Sequence, residues 1–426
     1  MYCLAAAGRD GVTGRRMTAV AQAARAKLPM SVEPRVLVLN AGSLSVKFAL
    51  YSTDLLPTLH LSGAVEGIGY SGGRFHTMDW TAHAAAEETR PVSSLEDAIE
   101  LVLTFMERRA TGVIVGVGHR VVHGGPGCDG PKYVTPELEE RLEKLIPLAP
   151  LHMPNNVAGI AAVRARRPEL QQVACFDTAF HETLPELAKL TGLPRDIAGE
   201  DIRRYGFQGL SYESVVDEIR RREGTRSDDE LLIVAHLGEE ASMAAIKDGR
   251  SIETTMGFSI LAGLPTGTRC GDLDPGIVLY LLMQRGLSGK AVQQMLYERS
   301  GLLGLSGASS DMRELLAQKH RPEIAGAIDY FCSRARASIG SLAATLGGLD
   351  RLVFTGGIGA RVPEIRERIC EGLRFIGIEL DSARNRASER TISRDGSRVR
   401  IEAFPSDEES IIARHTAAMI LRGAVF

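Results

Sequence analysis

No two cysteines in this sequence stand at redox or metal-ligand spacing. The six, Cys3, Cys128, Cys175, Cys270, Cys332 and Cys370, are scattered, with no CxxC and no Cys/His cluster. That argues against a zinc site or a disulfide framework and for free thiols in a reducing cytoplasm. No apolar run reaches the roughly 18 residues of a membrane span, so no membrane segment is expected. A formal net charge of -3 offers no basic field to a nucleic acid. Any anionic substrate must therefore be met by local charges. His119, His123, His152, His181 and His236 lie in distinctive segments, yet no pair of them has metal spacing with other ligands. Most read as packed, hydrogen-bonded residues, and none is assigned to a metal. No Gly/Ser-rich linker divides the chain.

What is present is ordinary globular composition. The 426 residues are 44% apolar and 24% charged, enough for two cores. Residues 1–33 differ: Arg9, Arg15, Arg16, Arg25 and Lys27 face few acids, and the apolar core of a signal peptide is missing. They are expected to be an extension outside the fold, with Met17 and Met30 as alternative starts.

Apolar runs bounded by glycine and polar residues predict strands at 36–40, 45–51 and 58–65, a meander. A polar stretch over 77–91 carries no such signal. A helix over 95–109, a strand over 112–118, helices over 136–145 and 155–166, and a strand over 173–176 follow. A second set repeats the plan. Strands at 231–236, 242–247 and 251–255 precede helices over 276–285, 290–298, 311–319 and 322–346, a strand over 352–355 and a helix over 363–375. The fold class is α/β, and two meander-plus-α/β units imply two packed domains with a cleft between them. Arg120 and Asp177 fall at the ends of strands, where catalytic residues of such layers collect.

Several segments in order resemble one family. They are Asn40-Ala-Gly-Ser-Leu-Ser-Val-Lys47, Gly118-His-Arg-Val-Val-His-Gly-Gly125, Phe176-Asp-Thr-Ala-Phe-His181 and Arg204-Tyr-Gly-Phe207. Met256-Gly-Phe258, Gly267-Thr-Arg-Cys-Gly-Asp-Leu-Asp-Pro275, Ser306-Gly-Ala-Ser-Ser-Asp-Met-Arg313, Thr355-Gly-Gly-Ile-Gly359 and Pro405-Ser-Asp-Glu-Glu409 follow. Across residues 34–426 the chain resembles the acetate kinases. The resemblance implies two duplicated ribonuclease H-like domains of the sugar kinase/actin/Hsp70 architecture. Residues 34–177 plus 409–426 would form the first, and 178–408 the nucleotide-binding second. It also implies a cytoplasmic homodimer that uses ATP or ADP, with Mg²⁺ or in its place Mn²⁺, and acetate or another short-chain carboxylate.

By the same resemblance Arg120 and Arg269 hold the carboxylate and the phosphoryl group in flight, and Asp177 orients them. Planar guanidinium groups suit both oxyanions. Outside these motifs an arginine would read as a surface ion-pair residue, and Asp177 as a helix cap. Asn40 and Glu408 would support the metal, since Mg²⁺ takes few protein ligands and several waters. Ser43, Ser45 and Lys47 would face phosphate from the first hairpin. His236, Gly238, Asp311, Met312, Arg313, Gly357, Ile358 and Gly359 would bind the nucleotide. Val122, Leu151 and Phe207 match an acyl pocket, and they read equally well as core.

Four departures from the family pattern stand out. Gln208 replaces a histidine expected to stabilise the transition state. Glu239-Glu240 replace Asn-Gly of a phosphate loop, Ala360-Arg361 replace Glu-Asn of the adenine loop, and Met153 replaces Asn. Leu44 also replaces a hydroxyl residue. The opposite charges of the two loops lead to the expectation that Glu239 or Glu240 pairs with Arg361. The alternatives to an acetate kinase are a degenerate paralogue that only binds, or a carboxylate kinase with another donor or acid.

Overall fold

The computed structural model describes residues 33–42, 44–109, 112–199 and 201–423. The expected extension over 1–33 lies outside them save its last position, and Ser43 lies outside them too.

The first sheet has eight strands: β1 (Pro34–Ala41), β2 (Ser45–Ser52), β3 (Leu59–Glu66), β4 (Arg74–Asp79), β5 (Ala84–Thr89), β6 (Val113–Val121), β7 (Lys132–Tyr133) and β8 (Gln171–Phe176). Their spatial order is β5-β4-β3-β2-β1-β6-β8-β7. The second sheet contains β9 (Leu232–Leu237), β10 (Ala241–Lys247), β11 (Arg250–Thr254), β12 (Arg351–Thr355) and β13 (Arg400–Ala403), in the order β11-β10-β9-β12-β13. The inner part of the first sheet, β3-β2-β1-β6-β8, repeats this order. In each, an antiparallel meander is extended on one edge by two parallel strands. The duplicated ribonuclease H-like plan expected from the sequence is thus the one present.

The central strands are apolar on both faces because both faces are covered. Leu37 and Leu39 of β1 pack with Ala98, Ile99 and Val102 of the helix Leu95–Arg109. Their neighbours Val36 and Val38 point the other way, onto Ile412, Ala413 and Ile420 of the C-terminal helix Glu408–Gly423. The second sheet divides likewise. Ile233 and Ala235 face the long helix Pro322–Leu346, whereas Leu232 and Val234 face Tyr212, Val215 and Ile219 of the helix Gly209–Glu223. The helices Gly209–Glu223 and Glu408–Gly423 also touch one another, so the two sheets are joined through their covering helices.

Two expectations are corrected. The polar stretch over 77–91 contributes to the hairpin β4–β5, which extends the first sheet outward. β5 is exposed at every position, so it has no apolar face to produce an alternating pattern. The helix expected over 363–375 ends at Cys370, because Gly372 takes φ 84° and turns the chain. Among the described residues no helix is long and apolar enough to cross a membrane.

Candidate active site

The carboxyl ends of β6, β8, β9 and β12 converge. β6 and β8 run parallel with Arg120 beside Cys175, so Arg120 and the residue just past β8, Asp177, emerge together. Asp177 is fixed by its backbone: its N–H donates to Val121 O, and its carbonyl accepts from Gly209 N, the first residue of the following helix. Arg120 meets Asp177 as a two-pronged bridge, Nε to Oδ1 at 3.1 Å and Nη2 to Oδ2 at 2.7 Å. Burial works to lower the pKa of Arg120, but the Asp177 carboxylate, followed by Glu408, outweighs it and raises it well above the ordinary value. Glu408, first in the C-terminal helix, lies 3.9 Å from Arg120 Nε. Burial raises its pKa, against the opposing field of Arg120.

Arg269 comes from the second half and is also buried. Its Nη2 donates to Glu240 Oε1 at 2.7 Å, while its Nε and Nη1 are buried without a protein partner. Bare buried donors cost about 1–3 kcal/mol each. This guanidinium is therefore shaped for an oxyanion that would satisfy them. Glu240 sits in the turn between β9 and β10, closed by Gly238 N donating to Glu240 O at 2.8 Å. It also takes His152 Nε2 on Oε1 at 2.8 Å and Gln208 Nε2 on Oε2 at 2.5 Å. Burial alone would raise the Glu240 pKa. Arg269, then His152 and Arg120, overcome it and hold the carboxyl well below the usual range.

Gln208 has left-handed backbone, φ 62°, uncommon for a residue with a side chain. It stands at the start of Gly209–Glu223, where its carbonyl accepts from Ser211 N and Tyr212 N. His236, at the end of β9, hydrogen-bonds Ser211 Oγ through Nδ1 at 2.7 Å. Burial, then the charge of Arg120, lowers its pKa to about 4, so the ring is neutral.

The nucleotide-side candidates fall in two places. An added Cβ on Gly238 would lie 3.5 Å from Gly357 N, so the β9–β10 turn and the loop after β12 abut. Gly356 between them has φ 78°, and a Cβ there would meet Leu237 O at 2.6 Å, which only glycine avoids. Ile358 is half-buried against the core, and Gly359 O accepts from the buried Arg366 Nη1 at 2.9 Å. Asp311 caps the helix Met312–Ala317 and is gripped by its own neighbour Arg313, which is exposed. Met312 is buried in the core of the second half, so only its backbone is open to the surface side of the helix start.

On the first sheet, Asn40 lies opposite Lys47 in the β1–β2 pairing, and Lys47 is near enough to Glu408 to lower its pKa. These three thus share one side of the site. Ser45 begins β2 and its carbonyl accepts from Gly42 N at 2.8 Å. Val122, Phe207 and the half-buried Leu151 belong to one apolar cluster with Met256, Ile260 and Tyr297; Val122 follows Arg120 by two residues, and the charge of Arg269 is felt at Tyr297.

The expected pairing of Glu239 or Glu240 with Arg361 is not formed. Arg361 and Glu239 are exposed, and among the described residues no ion pair joins Arg361 to either acid. Two further residues escaped sequence reasoning. His152 was left among the packed histidines, yet it is the partner of Glu240 and lies 3.5 Å from Arg269 Nη2. Asn156 is buried and ties the ends of β1 and β6, accepting from Val122 N and donating to Ala41 O. Its only signal was a polar residue on the inner side of an amphipathic helix.

With this geometry in place, the comparisons decide the family. The acetokinase family profile matches residues 35–414. The chain belongs to the acetokinase family. It is similar to the acetate kinase of Rhodopseudomonas palustris (strain TIE-1), 46% identical over 390 residues that cover 89% of this chain and 97% of that protein. The acetate kinase of Methylocella silvestris is 44% identical over 402 residues, 90% of this chain and 98% of its own. Among solved structures, Porphyromonas gingivalis acetate kinase superposes with a TM-score of 0.79 at 35% identity, covering 91% of this chain and 99% of that one. A propionate kinase from Francisella tularensis gives 0.84 at 35% identity, covering 90% and 99%. The acetokinase fold therefore accounts for both halves of the chain.

Proposed function

We propose that this acetokinase transfers the γ-phosphoryl group of ATP reversibly to acetate or a similar short-chain carboxylate, giving acetyl phosphate and ADP. The observation that carries the proposal is the approach of two arginines from different halves, the half-buried Arg120 and the buried Arg269, to the same carboxylate of Glu240. Two anions must meet for this reaction, and catalysis is then mostly positioning and charge neutralisation. A carboxylate oxygen attacks the γ-phosphorus while the bond to the bridging oxygen of ADP breaks. Arg120, locked by Asp177, and Arg269 hold the carboxylate and the equatorial oxygens, and Gln208 contributes an uncharged donor. Val122, Leu151 and Phe207 line the acyl side. Gly238, His236 and the loop at 357–359 receive the nucleotide phosphates, with Ser45 and Lys47 on the opposite wall. The domain division expected from the sequence, with the C-terminal helix returning to the first sheet, belongs to the same proposal.

The residues present fit a magnesium ion of the nucleotide-bound kind. Among the described residues no group of three or more His, Cys, Asp or Glu side chains could hold a metal. Mg²⁺ asks for less: one or two carboxylates, with waters and phosphates completing the shell. Glu408 is such a carboxylate, with Asn40 on the same side. A bound Mg²⁺, or Mn²⁺, would supply neutralisation of the β- and γ-phosphate oxygens.

The test is hydroxamate trapping of acetyl phosphate formed by the full chain from acetate and Mg-ATP, with propionate in parallel. Turnover with acetate is expected, and propionate within roughly 10–200-fold of it, the reach of one methylene in an apolar pocket. A folded chain that converts neither acid would overturn the proposal in favour of another donor or a binding role.

The homodimer is part of the same proposal and has its own support. The helix Pro275–Met283 is almost wholly apolar, yet none of its residues is buried; Ile277, Leu279, Tyr280 and Met283 are 44%, 56%, 50% and 73% exposed. A contiguous apolar helix of this kind marks a protein interface. Sedimentation at micromolar concentration should give twice the chain mass, and Leu279→Glu with Met283→Glu should return the monomer. A wild-type monomer at that concentration would refute this.

A further inference from the structure

The two arginines of the site are not occupied alike. Arg120 is closed by both oxygens of Asp177. Arg269 is closed at one nitrogen only, by Glu240, and its Nε and Nη1 are buried without a protein partner. The Glu240 carboxylate in turn is held as a bound anion would be. Arg269 and His152 converge on Oε1 at 2.7 and 2.8 Å, and Gln208 reaches Oε2 at 2.5 Å. These three donors come from three separate segments, including a residue of the first half, His152. A surface glutamate in a chance ion pair has no such cradle.

We propose that Glu240 is a built-in competitor: its carboxylate occupies the oxyanion position on Arg269 that a phosphoryl or acyl phosphate oxygen takes during turnover. Glu240 thereby sets the affinity of the site for its anionic substrate. The inference rests on the proposed phosphoryl transfer for the identity of that substrate, but the donor cradle stands apart from it. Two anions cannot share one buried guanidinium without repulsion. The β9–β10 turn that carries Glu240 must therefore release the side chain when the substrate arrives, or the substrate binds weakly. Neutralising Glu240 removes the competitor and leaves Arg269, His152 and Gln208 as donors for the incoming anion.

The experiment is calorimetric titration of inorganic phosphate, and separately of acetyl phosphate, into the full chain. Wild type, Glu240→Gln, Glu240→Gly, Arg269→Ala and the double variant Arg269→Ala/Glu240→Gln are compared, each checked for folding by thermal denaturation. Both Glu240 variants should bind phosphate at least about tenfold more tightly than wild type, and the gain should vanish when Arg269 is alanine. The KM for acetyl phosphate should fall with the Kd. Phosphate affinity unchanged or weakened in Glu240→Gln would overturn the inference, making Glu240 a mere support of Arg269. So would a gain that persists without Arg269, which would reflect general charge. Phosphate binding needs no turnover, so a chain inactive on acetate leaves this test intact. An active chain with unchanged phosphate affinity sinks only the competitor.

Discussion

Replacing Arg120 by alanine is expected to lower kcat/KM for acetyl phosphate formation by about 10²–10³-fold or more, the effect of removing one transition-state donor. The loss should exceed that of an exposed arginine because the side chain does two jobs. Under the proposed transfer its remaining nitrogen meets the reacting anions, while its Nε and Nη2 neutralise Asp177. The Asp177 side chain is only 2% exposed and that of Arg120 15%, so water cannot take over the missing charge. Breaking a buried pair from one side costs about 3–5 kcal/mol, most of it the price of a stranded carboxylate. Arg120→Ala should therefore lose thermal stability as well as activity. Arg120→Lys separates the two effects. An ammonium keeps the charge but cannot span both oxygens of Asp177, so stability should recover more than rate. Steady-state kinetics beside thermal denaturation on the three proteins would check this. Turnover of Arg120→Ala within threefold of wild type would remove Arg120 from the chemistry.

Legibility from sequence followed burial. The run Val36-Leu-Val-Leu is apolar on both faces, and it proved to be a strand sandwiched between helices on both sides. Arg120 and Asp177 were placed by the strands they terminate, and the strands are local patterns. β5 failed the same test because all of its side chains are exposed. The site was harder. The unusual charge of Glu239-Glu240 was visible, but its partner depended on how the two halves dock, and no local pattern encodes that. Arg361 lay on a loop expected to be near, and Arg269 proved nearer. His152 was obscure for a related reason. A histidine at a helix start reads as a packed residue until the other half of the molecule brings a carboxylate to it. Met312 was not read as a core residue. Its neighbours Asp311 and Arg313 are exposed or half-buried on the surface of the second half, but a helix start turns one side chain in three or four inward, and here that residue was Met312.

Acidification should unfold this protein between roughly pH 6 and pH 4.5, and the cause is four histidines shielded from water, His119, His123 and His181 buried and His236 half-buried. His119, His123, His181 and His236 each have a pKa lowered to about 4, first by burial. Burial keeps His119 and His181 neutral even though Gln172 at 2.7 Å and Phe207 O at 2.9 Å bond their rings and pull the other way, and His123 Nδ1 accepts from Gly125 N. In the unfolded chain each would titrate near its ordinary value of about 6.5. Between these limits the unfolded state binds more protons, so stability rises with pH. The contribution is complete above about pH 6.5 and is lost as pH falls toward 4. At pH 5 the linkage amounts to about 2 kcal/mol per histidine, on the order of 8 kcal/mol for four, comparable with the whole stability of an ordinary domain. Asp177, Asp407 and Glu408, whose pKa values burial raises, take up protons in the folded state and offset part of it. Urea titrations from pH 4.5 to 7.5 should show stability falling steeply below pH 6.5, and His119→Gln should flatten the slope by about one proton. A stability unchanged between pH 7 and pH 5 would refute the assignment. The consequence for kinetics is specific. Activity lost on the acid side should disappear together with the near-ultraviolet circular dichroism of the folded state, because the limb reflects cooperative unfolding driven mainly by His119, His123 and His181, none of which is placed at a substrate.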